Sequence, residues 1–196
     1  VLFSARGLYS DWILGQIKDP DIRRSKAGFS DFTFSGNYNF SRSQLTVFAY
    51  RSQDRFRLAD YVNYAYYNNG ASINYSRNFS TALRGEFSFT AARYAFSTED
   101  SQDPNLAYKH AYALDDYRLT ADVTWNLNAI NVLKLGLSGN LFGLDRGNVL
   151  ADGTQSIRIP VYLGKETGME NTIYASEDLE IFPWLKMNAG VRLTLY

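Results

Sequence analysis

Between residues 118 and 127 the side chains alternate without a break. Leu119, Ala121, Val123, Trp125 and Leu127 fall on one side; Arg118, Thr120, Asp122, Thr124 and Asn126 fall on the other. After a polar turn at 128–131, Leu133, Leu135 and Leu137 alternate with Lys134, Gly136 and Ser138. Successive side chains of a strand point to opposite faces, so this stretch reads as a β-hairpin with one greasy face. Its length narrows the choice of fold, because an ordinary core strand is about half as long. A strand of about 12 residues rises roughly 40 Å, and tilted near 45° it covers about 28 Å, the thickness of a bilayer's hydrocarbon. Such a hairpin is suited to crossing an outer membrane.

The same pattern recurs along the chain. Strands are expected at 1–10, 29–40, 44–56, 66–78, 82–96, in the hairpin 117–141, and at 169–181 and 185–196. In the second, Phe32, Phe34, Gly36 and Tyr38 alternate with Asp31, Thr33, Ser35 and Asn37. In the fifth, Leu83, Gly85, Phe87, Phe89 and Ala91 alternate with Arg84, Glu86, Ser88 and Thr90. In the last, Met187, Ala189, Val191, Leu193 and Leu195 alternate with Lys186, Asn188, Gly190, Arg192 and Thr194. Over 44–56 both faces are fairly apolar, and the pattern does not say whether Leu45, Val47 and Ala49 or Thr46, Phe48 and Tyr50 meet lipid.

The connections alternate too. Those at 11–28, 57–65, 97–112 and 145–168 are long and polar; those at 41–43, 79–81, 128–131 and 182–184 are short. A transmembrane barrel has this arrangement, with short periplasmic turns and long extracellular loops. Tyr38, Phe40, Phe79, Trp125, Phe182 and Trp184 lie beside the short turns, where an interfacial aromatic girdle belongs. The alternative is a soluble antiparallel sandwich with one solvated face, whose strands should be shorter.

Composition removes other classes. Twenty basic and 20 acidic residues leave no net charge to attract nucleic acid. One histidine and no cysteine exclude a disulfide framework and most compact zinc sites. No apolar run approaches the roughly 18–20 residues of a membrane-crossing helix. The mean hydropathy of −0.30 would suggest a soluble chain, but interleaved lipid and lumen residues produce the same average in a barrel. The chain carries 15 Tyr and 13 Phe but 4 Pro, as suits a ladder that needs N–H donors and ends in an interface. Val1 opens no leader peptide, and both ends read as strands. About nine strands with two raw edges cannot close in lipid, so a piece of a larger barrel is expected.

Several stretches resemble one family. Phe3-Ser4-Ala5-Arg6-Gly7-Leu8-Tyr9-Ser10-Asp11-Trp12 resembles an early barrel strand of TonB-dependent outer-membrane receptors of the Bacteroidetes type. Arg51-Ser52-Gln53-Asp54-Arg55-Phe56 resembles the end of an up-strand in those receptors. Glu170-Asn171-Thr172-Ile173-Tyr174-Ala175-Ser176-Glu177-Asp178, with the strand 185–193, resembles their middle barrel hairpin. The resemblance implies that 1–196 is one partial transmembrane domain of a plugged barrel of about 22 strands, with the plug and remaining strands outside this chain. It also implies a place in the cell outer membrane and energy-coupled import of a nutrient. The implied partners are outer-membrane lipid, the rest of the barrel and its plug, the TonB energy complex, and a surface lipoprotein.

Neither enzymatic activity nor a cofactor is expected. His110, beside Lys109 in a long connection, reads as solvated. Glu99, Asp100 and Asp103 could offer oxygens to a hard cation such as Ca²⁺, but their spacing matches no cation-loop signature and a solvated acidic loop is the simpler account. Asp115 and Asp116 read as lumen or loop residues rather than metal ligands. Arg84, Glu86, Arg118, Asp122 and Arg192 are expected to line a lumen, paired with one another or with a plug. Two further readings stay open: a self-contained barrel of about eight strands over 29–196, acting as an anchor or adhesin, and an outer-membrane enzyme. The terminal Leu193-Thr194-Leu195-Tyr196 resembles an insertion signal ending in an aromatic, which suits the small barrel, while the lack of a Ser/His/Asp set weakens the enzyme.

Overall fold

The computed structural model describes residues 1–59 and 61–196. Its strands are β1 (Leu2–Tyr9), β2 (Lys26–Asn39), β3 (Ser43–Leu58), β4 (Val62–Asn78), β5 (Leu83–Asp100), β6 (Tyr108–Asn128), β7 (Asn131–Ala151), β8 (Val161–Tyr162), β9 (Lys165–Phe182) and β10 (Leu185–Leu195). They form one antiparallel sheet in chain order, β1 to β7 and then β9 and β10, with the short β8 also paired to β7. β1 and β10 are its two edges, and they do not meet. The only described helices are α1 (Asp11–Leu14) and α2 (Pro20–Arg24), both in the β1–β2 connection. Asp19 caps α2: its carboxylate accepts from the Asp21 and Ile22 N–H groups, with proline at the first helical position.

Pairing rows show how the two faces are kept apart. Tyr38, Leu45, Tyr75, Phe87, Ala121, Leu137, Ile173 and Leu193 lie side by side across β2 to β10. The adjacent row, on the opposite face, is Asn37, Thr46, Asn74, Ser88, Thr120, Ser138, Thr172 and Thr194. The register therefore settles β3: Leu45, Val47 and Ala49 share the apolar face. Among the described residues no second sheet covers that face. Leu137 is 53% exposed and Val191 76%, with Leu119, Trp125, Leu135, Leu193 and Leu195 also exposed, while Val123 and Leu133 are half-covered by neighbours in the sheet. Among the described residues the buried apolar ones are Ala59, Val62, Ala107 and Ala113, and no large side chain is fully buried. The accessible surface is 13483 Å², against roughly 9,400 Å² for a compact domain of this mass. The described residues form no sandwich core.

The rows also reveal a tilt. The row Asn39, Gln44, Ser76, Glu86, Asp122, Gly136, Tyr174 and Arg192 touches the first short turn but passes farther above each later one. That regular stagger is the shear of strands inclined in a barrel wall.

The strands run longer than the alternation suggested. β3 continues to Leu58 and β4 begins at Val62, so the expected connection 57–65 shrinks to a turn whose residue 60 lies outside the described residues. The expected loops 97–112 and 145–168 are largely strand as well. β6 has 21 residues; at about 3.3 Å per residue and 45° it rises roughly 49 Å, well beyond a hydrocarbon core. Its upper part extends past the bilayer, where Lys109, Ala111 and Ala113 alternate with His110, Tyr112 and Leu114 and neither face is clearly the apolar one.

Opposite solvents for adjacent residues give a direct test. Val123→Arg, on the apolar face, should cost about 2–4 kcal/mol of folding in bilayers, and Thr124→Arg much less. Heat-modifiable gel migration reads the folded fraction; equal loss for both variants would contradict the two-sided assignment.

Candidate functional site

The polar face is the surface on which a function can be built. Arg84, Glu86, Arg118, Asp122 and Arg192, expected to share it, do so by register. Arg84 Nε donates to Glu86 Oε1 at 2.7 Å, and Arg118 Nε donates to Asn140 Oδ1 at 2.8 Å. The Tyr174 hydroxyl donates to Asp122 Oδ1 at 2.7 Å, and Arg192 lies over the Tyr174 ring at 5.7 Å. Ser88 and Thr120 hydroxyls meet at 2.5 Å, and those of Thr172 and Thr194 at 3.2 Å. Lys134 Nζ reaches Asp178 at 2.6 Å, and the Asn188 amide donates to the same carboxylate. The face is thus polar yet largely partnered within itself. A cavity of about 270 Å³ opens on it between Thr46, Asn74, Ser76, Glu86, Thr120 and Asp122.

Gly136 makes the Asp122–Tyr174 contact possible. It occupies β7 directly between them, and a Cβ there would lie 2.1 Å from Tyr174 Cε1 and 2.4 Å from Asp122 Oδ1. The bond spans β6 to β9 because the middle strand contributes no side chain.

Toward the long-loop end the same face turns aromatic. Phe56 stacks on Tyr64 at 6.4 Å, Tyr64 and Tyr66 meet Phe96, and Phe96 meets Tyr112 at 5.1 Å. Tyr94 and His110 flank Tyr112, each at 5.9 Å. This seam offers ring faces for stacking. The alternation did not single it out, because its members belong to four strands and meet only through register.

The acidic candidates are dispersed. Glu99 accepts from the Asn63 amide at 3.3 Å, while Asp100 and Asp103 cap backbone N–H groups of Gln102 and Asn105. Asp115 pairs with Arg93 at 3.5 Å on the apolar side of the sheet, whereas Asp116 approaches Arg118 at 4.0 Å on the polar side. Adjacent strand residues cannot share an ion. Among the described residues no three His, Cys, Asp or Glu side chains gather to hold a metal. His110 Nε2 lies 3.2 Å from the Arg146 carbonyl.

Ion pairs tie the long-loop end together. Lys165 holds Asp145 at 2.9 Å and, with the Gly147 N–H, keeps its carboxyl below the usual carboxylate range. The hydrogen bond to Asp152 pushes the Lys109 ammonium up. At the other end Tyr38 and Phe40 pack edge to face at 4.6 Å, and Phe182 stacks on Trp184 at 5.5 Å. Four of the six aromatics expected in the girdle thus meet in pairs at this end.

No protein-family model and no curated protein matches the chain. Among solved structures it is similar to the translocator domain of autotransporter NalP from Neisseria meningitidis, with a TM-score of 0.51 and 13% identity, over 88% of this chain and 62% of that one. It is also similar to the copper transporter OprC, with a TM-score of 0.35 and 9% identity, over 85% of this chain and 37% of that one. The first likeness is one of fold. The chain is an all-β, up-and-down antiparallel sheet of the outer-membrane β-barrel type, left open between β1 and β10. It spans less than two thirds of the length of each neighbour.

The close approach at Gly136 predicts a local sensitivity. Gly136→Ala should destabilise the folded protein by about 1–3 kcal/mol. Gly168→Ala, where a Cβ meets nothing within 4 Å, should stay within about 0.5 kcal/mol. Urea midpoints in liposomes measure both; equal midpoints would contradict the contact.

Proposed function

We propose that this chain forms part of the wall of a TonB-dependent receptor in the outer membrane, a plugged barrel that imports a nutrient using energy from the inner membrane. The observation that carries the reading is the wall itself. Long staggered strands in chain order present one face of exposed Leu, Val and Phe and one of hydroxyls, amides and partnered charges. β1 and β10 each leave an unpaired edge, and in lipid each unpaired backbone group costs several kcal/mol. Closure through further strands makes a barrel wider than this sheet, and the wide barrels of this class hold a plug.

In this reading Arg118, Asp122, Tyr174 and Arg192 face the plug, and the pairing of Arg118 with Asn140 and of Tyr174 with Asp122 and Arg192 keeps the wall intact while the plug moves. The aromatic seam from Phe56 to Tyr112 faces the vestibule at the long-loop end. The TonB energy complex acts through parts outside this chain, and a surface lipoprotein would cover the long-loop end. This reading asks no catalytic group, cofactor or metal ligand of the chain. A second reading is a self-contained barrel of about eight strands over 29–196, an anchor or adhesin. The likeness in fold to an autotransporter translocator domain favours it. The pairing of β1 with β2 from Leu2 to Tyr9 weighs against it, since that strand would have no place.

Intact-mass measurement of the native polypeptide, combined with in-cell crosslinking to the TonB protein, separates the two. A mass several times 22.3 kDa with a TonB crosslink is expected. A native mass near 22.3 kDa and no crosslink would contradict the receptor reading.

A further inference from the structure

The upper limit of the apolar face follows one pairing row: Phe32, Arg51, Asn69, Arg93, Asp115, Gly143 and Thr167. On β3, Leu45, Val47 and Ala49 give way at this row to Arg51, Gln53, Arg55 and Arg57. On β2, Phe34 and Phe32 give way to Ser30, Gly28 and Lys26. Lys26 stands opposite Arg57, and Gly28 opposite Arg55, so the cations of both strands share the lipid-side face. Over the small residues Gly28 and Ala65 lies a cavity of about 550 Å³, also lined by Tyr9, Lys26, Arg55 and Arg57.

What sets this patch apart is its unbalanced charge. Farther along the same face Arg93 pairs with Asp115, Lys109 with Asp152 and Lys165 with Asp145. Among the described residues no acidic side chain forms an ion pair with Lys26, Arg51 or Arg55. Arg55 instead lies against the Gln53 amide. The β4 neighbours Asn69, Tyr67, Ala65 and Asn63 are uncharged, and Asp31 and Asp54 belong to the opposite face. Asp11 lines the cavity, engaged with the Tyr9 hydroxyl, and Glu99 lies beyond Asn63. Lys26, Arg51 and Arg55 leave the balance on this face of β2 and β3 positive.

We propose that this surface binds the phosphate groups of a phosphorylated lipid in the leaflet on the long-loop side. The proposal rests on the membrane reading above. Guanidinium forks match phosphate oxygens bidentately, and arginine stems can lie along apolar surface while their heads reach upward. Directly beneath, Phe32, Phe34, Val47 and Ala49 continue the same face and support the acyl chains. Headgroup and chains of one lipid thus meet complementary parts of one surface, and the phosphate supplies the negative charge the patch lacks.

The test uses the natural full-length protein in nanodiscs of phosphatidylcholine containing lipid A as a minor component. After mild detergent extraction, native mass spectrometry counts lipid A and phosphatidylcholine bound to each protein, and gel migration reports folding. Folded wild type should retain lipid A preferentially, and folded Arg51→Gln/Arg55→Gln should retain about tenfold less. Arg51→Lys/Arg55→Lys, which keeps the charge and loses the fork, should fall between; Lys18→Gln, in the β1–β2 connection, should match wild type. Folded wild type without preference for lipid A, or undiminished retention by the folded glutamine variant, overturns the proposal alone. Protein that does not fold in these bilayers overturns the membrane reading and the proposal with it.

Discussion

In hydrocarbon no water is present to satisfy a backbone N–H or C=O, and everything in this structure answers to that constraint. Each long strand passes its donors and acceptors to the next, from β1 through β7, β9 and β10. Once the backbone is so committed, the side chains are free to divide into two faces. The row from Tyr38 to Leu193 and the row from Asn37 to Thr194 are one residue apart on every strand, yet one is suited to lipid and the other to water. Hydrophobic burial in the ordinary sense contributes little here. The exposed leucines and valines are stable where they are only because the solvent is a bilayer.

Polar groups on the inner face are organised by the same register. The Tyr174–Asp122 bond crosses a whole strand, and it exists because β7 places a glycine at the crossing point. The hydroxyl pairs Ser88–Thr120 and Thr172–Thr194 are direct cross-strand partners. Such a face holds its own charges in place without a plug, while its aromatic seam and cavity remain open to whatever the lumen contains.

Much of this was legible in the chain. The periodicity over 118–127, 133–138 and 185–195 identifies the lipid face, because each of those strands has clearly unequal sides. The short turns and their aromatics are equally plain. Three features could not be read in the same way. β3 has two apolar sides, and only its pairing with β2 and β4 chooses between Leu45 and Thr46. The strand extensions beyond Phe56, Phe96 and Leu144 mix polar, small and aromatic residues on both faces, so they lose the period and imitate loops. Contacts such as Tyr174 with Asp122 depend on registers fixed far away in sequence, and a lone tyrosine in a strand announces nothing. The function is less legible still, because a barrel wall is selected for its two solvents before it is selected for its cargo.

The central claim is that adjacent residues of β6 face lipid and lumen in turn. The chain has no cysteine, so a single nitroxide-labelled cysteine can be placed at each position from Tyr117 to Trp125 in the folded protein in bilayers. Collision with oxygen, which concentrates in lipid, and with a water-soluble nickel chelate then reports the solvent at each site. The account predicts oxygen maxima at Leu119, Ala121 and Val123, alternating with nickel maxima at Thr120, Asp122 and Thr124. Accessibility without a two-residue period, or high nickel collision on both faces, would contradict it.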